Sequence, residues 1–558
     1  MNNRDNNKKV RFTALGGVED INRNCYVVEY GKDIVIMDMG FSFPGDEIYG
    51  VNYVIPDVEY LEQRKERIRG IVLSHGHLDH VGAIPYVIEK LGFPPVYGRE
   101  FTMLFLGEKL KEFGLDKKVA RNIVKPSEDI RLGAITADLI PVTHAIPQSS
   151  AIRLRMPGGT VVYTGDYKFD DDPVREDKPD YELLRKIGRE GIDLACMDST
   201  NVYQEGATRS ETEVATILDN LVKNARGRVI AATFSSLGTR LYSLVEIAKK
   251  YNRKIVITGR SMKSMIELLQ KIGYVHLEGN LILPEKSIKS VPDEKLLILT
   301  TGTQGEEMAA LSRMSRGEHR GIQIKDSDTV ILSSSVIPGN QVPVQHLIDD
   351  LLRLGARVIH QSFMDVHTSG HGYQDDMKKM FELLQPKFVM PVHGWRSFIH
   401  EAAYLLGTWG MKQKNILHPE TGLQFEYDRP QNMWRVGNKV ACSNVYVDGA
   451  TVGETTMDMI RDRGQMAENG VLAITIQTDS KGGLAGDPII WSSGLLNESS
   501  QQKFLQDLKR GIADLLRAAV QNSKDHRVDS SIRDMVTKYA QRKAEQRLGK
   551  TPLTYSTY

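Results

Sequence analysis

Six consecutive positions constrain this chain more than any other feature: His75-Gly76-His77-Leu78-Asp79-His80, three imidazoles and a carboxylate directly after the apolar run IRGIVL and Ser74. The run reads as a strand. The amphipathic stretch VGAIPYVIEKL that follows reads as a helix, so the cluster sits on a strand-to-helix loop at a sheet edge, where several side chains can point at one place. Histidine and carboxylate are ligands for zinc or manganese, and the alternate spacing lets His75 and His77 meet one ion while Asp79 and His80 reach a second. A lone histidine would read as part of a solvated loop or a cap. Four ligand-type side chains in the order His-x-His-x-Asp-His point to metal.

A metal-binding loop needs a scaffold, and 558 residues allow three or four units that each bury a core. Lys+Arg number 72 and Asp+Glu 71. That balance excludes coating of DNA or a membrane by overall charge, so a nucleic-acid partner must be met by a local groove. Cys25, Cys196 and Cys442 lie far apart with no CxxC pair, which fits a reducing compartment and a cytoplasmic protein. The polar start MNNRDNNKKVRF lacks a signal-peptide core and no run of about 18 apolar residues occurs, so neither secretion nor membrane insertion is expected.

From about residue 10 to 170, short β-branched runs alternate with Gly and Pro, and RMPGGTVV signals a hairpin leading toward Asp166. After about 205 strands alternate with helices, as in a parallel α/β sheet. The first of these helices carries a capping box, Ser210 with Glu213, and apolar positions Val214, Ile217, Leu218, Leu221 and Val222. PKFVMPVHG near 386–394 reads as a strand returning to the first domain, so the α/β segment is expected to be an insertion. A small α+β appendage should follow. Its helical stripe Phe504, Leu508, Ile512, Leu515 and Leu516 suits either a core or a contact between copies.

Three more ligand candidates follow apolar runs: His144 in PVTHAIPQS, Asp166 in YTGDYK and His393 in MPVHGW. Together with the opening cluster they resemble the metallo-β-lactamase superfamily, in which Asp38 of IVIMDMG would be a supporting aspartate outside the metal shell. The roughly 200 residues between Asp166 and His393 resemble the β-CASP cap of nucleases. TTGTQGEEMAALSRM, SSSVIPGN, GRSM and HTSGH are similar to the bacterial ribonuclease J family, and the similarity runs through nearly the whole chain.

The resemblance implies an αββα metallo-β-lactamase domain (1–204 and 367–440) interrupted by a β-CASP α/β domain (205–366), a linker (441–454) and a C-terminal oligomerisation-type α+β domain (455–558). It implies two divalent ions, zinc first with manganese or magnesium as alternatives. One would be held by His75, His77, His144 and Asp166, the other by Asp79, His80, Asp166 and His393. Water activated between them would attack phosphorus in line and leave 5′-phosphate products. Asp79 is carried over as catalytic besides being a ligand; His371, not needed as a ligand, is the candidate general acid, and Asp198 would orient it. His367, Thr368, Ser369, Gly370 and His371, with Ser333, Ser334 and Ser335, would form a phosphate pocket.

The implied activity is 5′-to-3′ exonuclease action on 5′-monophosphate RNA plus internal cleavage, in mRNA decay and rRNA maturation. The implied partners are single-stranded RNA, further copies in a dimer or tetramer, and a paralogue or degradation-complex component. The alternatives are a DNA-acting β-CASP nuclease, a non-catalytic RNA-degradation scaffold, and a small-substrate lactamase or thioesterase. Three departures from the family pattern, HAIPQSS, SSLGTR and VEDINRN, leave substrate contacts and the balance of exo- and endonuclease action open.

Overall fold

The computed structural model describes residues 9–45, 47–337, 339–522 and 527–558. The chain divides into two compact units: one takes the segment up to Ser42 and Ile55–Asn444, the other Phe43–Val54 and Val445–Tyr558.

In the first unit two mixed sheets face each other. One has eight strands in the order Met433–Lys439, Leu423–Asp428, Val10–Gly16, Cys25–Tyr30, Asp33–Met37, Ile68–Val72, Val96–Gly98, Arg121–Ile123. The other has six, in the order Val389–Val392, Leu194–Asp198, Gly159–Tyr163, Ser150–Met156, Ile135–Pro141, Ile130–Leu132. Phe12, Tyr26, Val28, Val35 and Met37 of the first pack against Leu139, Ile152, Leu154, Val161 and Tyr163 of the second, burying one core between them. Helices Tyr181–Glu190, Gln374–Leu384 and Arg396–Thr408 cover the outer face of the second sheet through Leu184, Ile187, Met380, Leu383, Ala403 and Leu406. Glu100–Glu112 lies against the Val96–Gly98 and Arg121–Ile123 strands of the first. The hairpin signal RMPGGTVV holds: Met156 pairs with Gly159 across a Pro157-Gly158 turn.

The insertion is a six-stranded parallel sheet, ordered Ile282–Leu283, Lys254–Ile257, Leu296–Thr300, Val229–Ala232, Thr329–Leu332, Arg357–His360. Its strands are mostly apolar because both faces are covered. Val229, Ala231, Ile255, Leu297 and Leu299 face helices Glu211–Asn224, Gly238–Lys250 and Arg260–Lys271. The alternate residues Ile230, Ala232, Val256, Leu296 and Ile298 face Ala310–Ser315 and Gln341–Arg353. The capping box of the first helix is formed by Ser210 and Glu213, and Val214, Leu218, Leu221 and Val222 are buried, with Ile217 half-buried.

The second unit holds a three-stranded sheet, with Val471–Thr475 between antiparallel Ile489–Ser493 and parallel Leu553–Thr557. Helices Glu498–Asn522 and Ser530–Leu548 pack on one face. One open choice is decided and two expectations are corrected. The stripe Phe504, Leu508, Ile512 and Leu516 is buried, with Leu515 half-buried, against Leu472, Ile474, Ile532 and Val536: it is this unit's own core and not a contact between copies. Residues 441–454 are not a plain linker, because Val445–Asp448 and Thr451–Val452 form a hairpin, and the Asp448-Gly449 turn between β-branched runs is its sequence signal. The expected helix VGAIPYVIEKL shrinks to one short turn, Ile84–Val87, with Pro85 at its start, where a missing N–H costs nothing, and a second turn, Leu78–Val81, forms before it within the ligand cluster. Among the described residues no helix is long and apolar enough to cross a membrane.

Candidate metal centre

Every residue of the centre sits at the C-terminal end of a strand or in the segment that follows it, Asp79 and His80 in the helical turn Leu78–Val81. Asp38 follows Asp33–Met37, the His75–His80 loop follows Ile68–Val72, His144 follows Ile135–Pro141, and Asp166 follows Gly159–Tyr163. Asp198 ends Leu194–Asp198 and His393 follows Val389–Val392. Asp38 and His393 hold φ of 59° and 57°, a backbone region costly for residues other than glycine, maintained here by the surrounding hydrogen bonds. Residues up to 355 apart in sequence, Asp38 and His393, thus meet where the two sheets open.

Donor atoms of His75, His77, His144 and Asp166 lie within 4.8 Å of one another, and so do those of Asp79, His80, Asp166 and His393. Within the first set His77 Nδ1 is 3.0 Å from His75 Nε2 and 3.1 Å from His144 Nε2, and Asp166 Oδ2 is 3.5 and 3.7 Å from those two Nε2 atoms. Within the second, His80 Nε2 is 3.3 Å from Asp79 Oδ2, 3.2 Å from Asp166 Oδ2 and 3.3 Å from His393 Nε2. His393 Nε2 is 3.4 Å from both Asp79 Oδ2 and Asp166 Oδ1. A tetrahedral site with bonds of about 2.0–2.2 Å has edges of roughly 3.4 Å, so the donors are spaced as the edges of two such sites sharing Asp166.

The proton positions agree with that reading. His80 Nδ1 donates to Asp38 Oδ2 at 2.7 Å, and His144 Nδ1 to the Gly370 carbonyl at 2.6 Å. His75 Nδ1 donates to Ser74 Oγ at 3.0 Å, whose own proton goes to Asp38 Oδ2 at 2.7 Å. His393 Nδ1 donates to Thr200 Oγ1 at 2.7 Å, which donates to Asp198 Oδ1 at 2.7 Å. The Nδ1 of each of these four rings has a partner outside the donor sets, which leaves each Nε2 facing inward. Both Asp166 oxygens are buried with no hydrogen-bond donor. Buried acceptors with converging lone pairs are costly unless a cation satisfies them, so the residues fit two divalent ions.

The charges divide accordingly. Burial, then the neighbouring imidazoles, holds His75 and His144 well below the usual histidine range, and burial brings His77 down to about 4 despite Asp79 and Asp166. For His80 and His393 burial is outweighed by carboxylates, Asp166 and Asp79 among them, so His80 is raised well above its ordinary value and His393 to about 9. Burial alone would raise Asp166, but the imidazoles of His393, His80, His371 and His75 keep it well below the carboxylate range.

Beside this core His371 Nδ1 is 2.8 Å from Asp198 Oδ2, and His371 Nε2 is 3.7 Å from Asp166 Oδ2. Its side chain is 20% exposed against 1% for Asp166, so it borders the solvent side. Asn201 Nδ2 fixes its loop by donating to Ser369 Oγ at 2.8 Å and to the His371 carbonyl at 2.9 Å.

The phosphate-pocket candidates do not all face one space. Ser333 is fully buried, donates to the Val366 carbonyl at 2.6 Å and accepts from Arg240 Nη1, so its hydroxyl belongs to the interior and not to an anion pocket. Thr368 is buried and donates to the Arg209 carbonyl at 2.9 Å. Ser334 is buried and Ser335 half-buried; Gln304 of TGTQGE reaches both, at 3.4 Å to Ser334 Oγ and 2.8 Å to the Ser335 carbonyl, and accepts from Ile337 N at 2.8 Å. Pro338 of SSSVIPGN lies outside the described residues. His367 is 8% exposed, its Nδ1 has no hydrogen-bond partner, and burial followed by Arg240 and Lys168 brings it to about 3. Gly370 is buried, and the atom it offers the site is its carbonyl. Ser74, Thr200, Asn201 and Asn24 belong to the site without having been read from the sequence. Ser74 and Thr200 had a signal in their adjacency to the ligand motifs.

Known proteins agree with this architecture. A family model described as metallo-beta-lactamase superfamily matches residues 18–212. Models described as the beta-CASP domain and the C-terminal domain of ribonuclease J match 226–351 and 458–554. Ribonuclease J of Helicobacter pylori (strain B128) is 36% identical over 519 residues, 93% of this chain and 75% of that one. Ribonuclease J2 of Bacillus subtilis (strain 168) is 33% identical over 93% of each chain. Ribonuclease J of Thermus thermophilus is 35% identical over 92% of this chain and 89% of that one. A solved structure of a protein of unknown function from Enterococcus faecalis V583 shares the fold at a TM-score of 0.52 and 17% identity, covering 75% of this chain and 100% of that one.

Proposed function

This chain belongs to the ribonuclease J family, and from that premise we propose that it is a metal-dependent ribonuclease acting 5′-to-3′ on single-stranded RNA with a 5′-monophosphate and also cutting internally, in mRNA decay and rRNA maturation. The observation that carries the reading is the pair of donor sets joined by Asp166, a spacing suited to two cations flanking one reacting phosphate. Zinc suits the imidazole-rich first set, with manganese or magnesium as alternatives.

Two divalent ions held by His75, His77, His144 and Asp166, and by Asp79, His80, Asp166 and His393, would supply Lewis-acid charge for the phosphoryl oxygens and lower the pKa of the attacking water. The protein's own part is to hold charge and move a proton. Asp38, Ser74 and Thr200 fix imidazole tautomers, so that no ligand reorganises during turnover. His371 is raised in pKa: burial lowers it, but Asp198 and Asp166 more than compensate. That direction favours the protonated ring, whose Nε2 would give its proton to the departing 3′-oxygen while Asp198 keeps Nδ1 in place. Placement in the cytoplasm and assembly into dimers, into tetramers or with a paralogue belong to the same reading. Contact between copies would use a surface other than the Phe504–Leu516 stripe.

The test is cleavage of matched RNA and DNA oligonucleotides bearing 5′-monophosphate, 5′-triphosphate or 5′-hydroxyl ends, with manganese or zinc supplied. Mononucleotides released from 5′-monophosphate RNA, and lost in His77→Ala, are expected. Equal cleavage of DNA, or full activity in His77→Ala, would overturn the reading.

A further inference from the structure

The two donor sets are held differently, and the difference singles out Asn24. In the second set the Asp79 carboxylate is the exposed member, its side chain 23% accessible where those of His80, Asp166 and His393 are at 2% or less. That side chain meets imidazoles of the same set, His80 and His393. Its position is therefore set through its backbone. The Asp79 carbonyl accepts from Asn24 N at 2.9 Å and from Asn24 Nδ2 at 3.3 Å. Asn24 Nδ2 also stands 3.3 Å from His80 Nε2, the inward-facing ligand nitrogen.

The orientation of that amide is determined. Tyr26 Oη donates to Asn24 Oδ1 at 2.8 Å, and turning the amide over would set Oδ1 against the Asp79 carbonyl, two acceptors face to face. Asn24 is fully buried and its carbonyl accepts from Gly40 N at 2.9 Å. The backbone places it through a bulge: pairing of Val10–Gly16 with Cys25–Tyr30 shifts register between Ala14 and Gly16, and Arg23 turns through φ 61°. A Cβ on Gly16 would stand 2.0 Å from the Arg23 carbonyl oxygen, so the turn that delivers Asn24 requires glycine there. The hydrogen bonds of the Asn24 amide thus go to Asp79 and Tyr26, with His80 Nε2 alongside, whereas in the first donor set Ser74 holds His75 and the Gly370 carbonyl holds His144.

We propose that Asn24, oriented by Tyr26, is a positioning residue for the second cation: by gripping the Asp79 carbonyl it fixes the Asp79-His80 pair, and it sets affinity at that position while leaving the His75–His77–His144 position alone. The proposal rests on the two-cation reading above. Loss of an outer partner of metal ligands lowers affinity by about 10- to 100-fold, and here the loss falls on one ion of two.

Calorimetric titration of the full-length apoprotein with Mn²⁺, and separately with Zn²⁺, reads both binding events in wild type, Asn24→Ala, Asn24→Asp and Tyr26→Phe, with thermal melting of each apoprotein alongside. In Asn24→Ala and Asn24→Asp the binding event that His393→Ala abolishes should weaken by about 10- to 100-fold with the other unchanged, and Tyr26→Phe should show a smaller shift in the same direction. The Asn24→Ala effect should persist in a His77→Ala background and vanish in His393→Ala, where the second position is already lost. Unchanged affinities, or parallel weakening of both events with a lowered melting temperature, overturns the proposal. If Asn24→Ala does not fold, Tyr26→Phe decides by the same criterion. Wild type that binds fewer than two ions overturns the underlying two-cation reading instead, a result separable from any effect of Asn24.

Discussion

In the proposed mechanism His371 and Asp198 set reactivity as a pair. His371 Nδ1 is pinned at 2.8 Å by Asp198 Oδ2, which leaves Nε2 the proton to give, and Asp198 and Asp166 outweigh burial in raising its pKa. His371→Gln should cut kcat by about 10²- to 10⁴-fold with metal content retained, read by single-turnover cleavage and metal analysis. Asp198→Asn removes a charge that favours the protonated ring, so the alkaline limb of kcat/KM should move to lower pH; a limb that stays in place assigns the acid role elsewhere. Much at this scale was legible in the sequence, because ligand chemistry demands particular residue types and HGHLDH, PVTH, TGD and PVHG each follow an apolar run. Asn24 and Asn201 were not, since an asparagine gains its role only from the partner brought to it in space. Ser333 misled for a related reason: a serine after a strand looks free to bind an anion, but Arg240 and the Val366 carbonyl use both sides of its hydroxyl.

Strand ends and the loops that follow them do the positioning at the scale of elements. The turn after Asp33–Met37 packs so closely on the ligand loop that a Cβ on Gly40 would lie 1.5 Å from the Asp79 carbonyl oxygen. Met39 N donates to the His80 carbonyl at 2.7 Å and Phe41 N to that of Leu78 at 3.2 Å, so this turn and the metal loop form one piece. Gly40→Ala must move backbone against backbone: metal stoichiometry should fall and the melting temperature drop, and a variant with native metal content would show that the turn can retreat. The alternation of strands with helices gave the parallel insertion correctly, and its strands are apolar on both faces, Val229 and Ala231 on one and Ile230 and Ala232 on the other. Periodicity failed where apolar spacing is weak. Met457–Asn469 buries Ile460 alone, and VGAIPYVIEKL carries an apolar period that Pro85 and the loop geometry interrupt.

Over the whole molecule, a large apolar scaffold supports a small, highly charged centre, and the stability of the one depends on the ionisation of buried groups near the other. His367 is held to about 3 in the folded chain against an ordinary value near 6.5, so it is neutral when folded and takes a proton when unfolded at mildly acid pH. The unfolded state then binds more protons, and stability should fall as pH drops from about 6.5 toward 3. His367→Gln should flatten that slope in melting temperature against pH; an identical slope would remove His367 as a source. The grouping of Phe43–Val54 with Val445–Tyr558 was not legible in the sequence, because it depends on Val51 and Val54 packing with Tyr446 and Ile460, about 400 residues away. The proposed metal centre brings these scales together, since the arrangement of strands gathers seven candidate ligand residues with Asp166 common to both sets. Anomalous diffraction at the manganese edge from crystals equilibrated with Mn²⁺ tests that most directly. Two peaks per chain are predicted, one bounded by His75, His77, His144 and Asp166 and the other by Asp79, His80, Asp166 and His393; no peak at Asp166 while the ion binds elsewhere would contradict the two-cation centre.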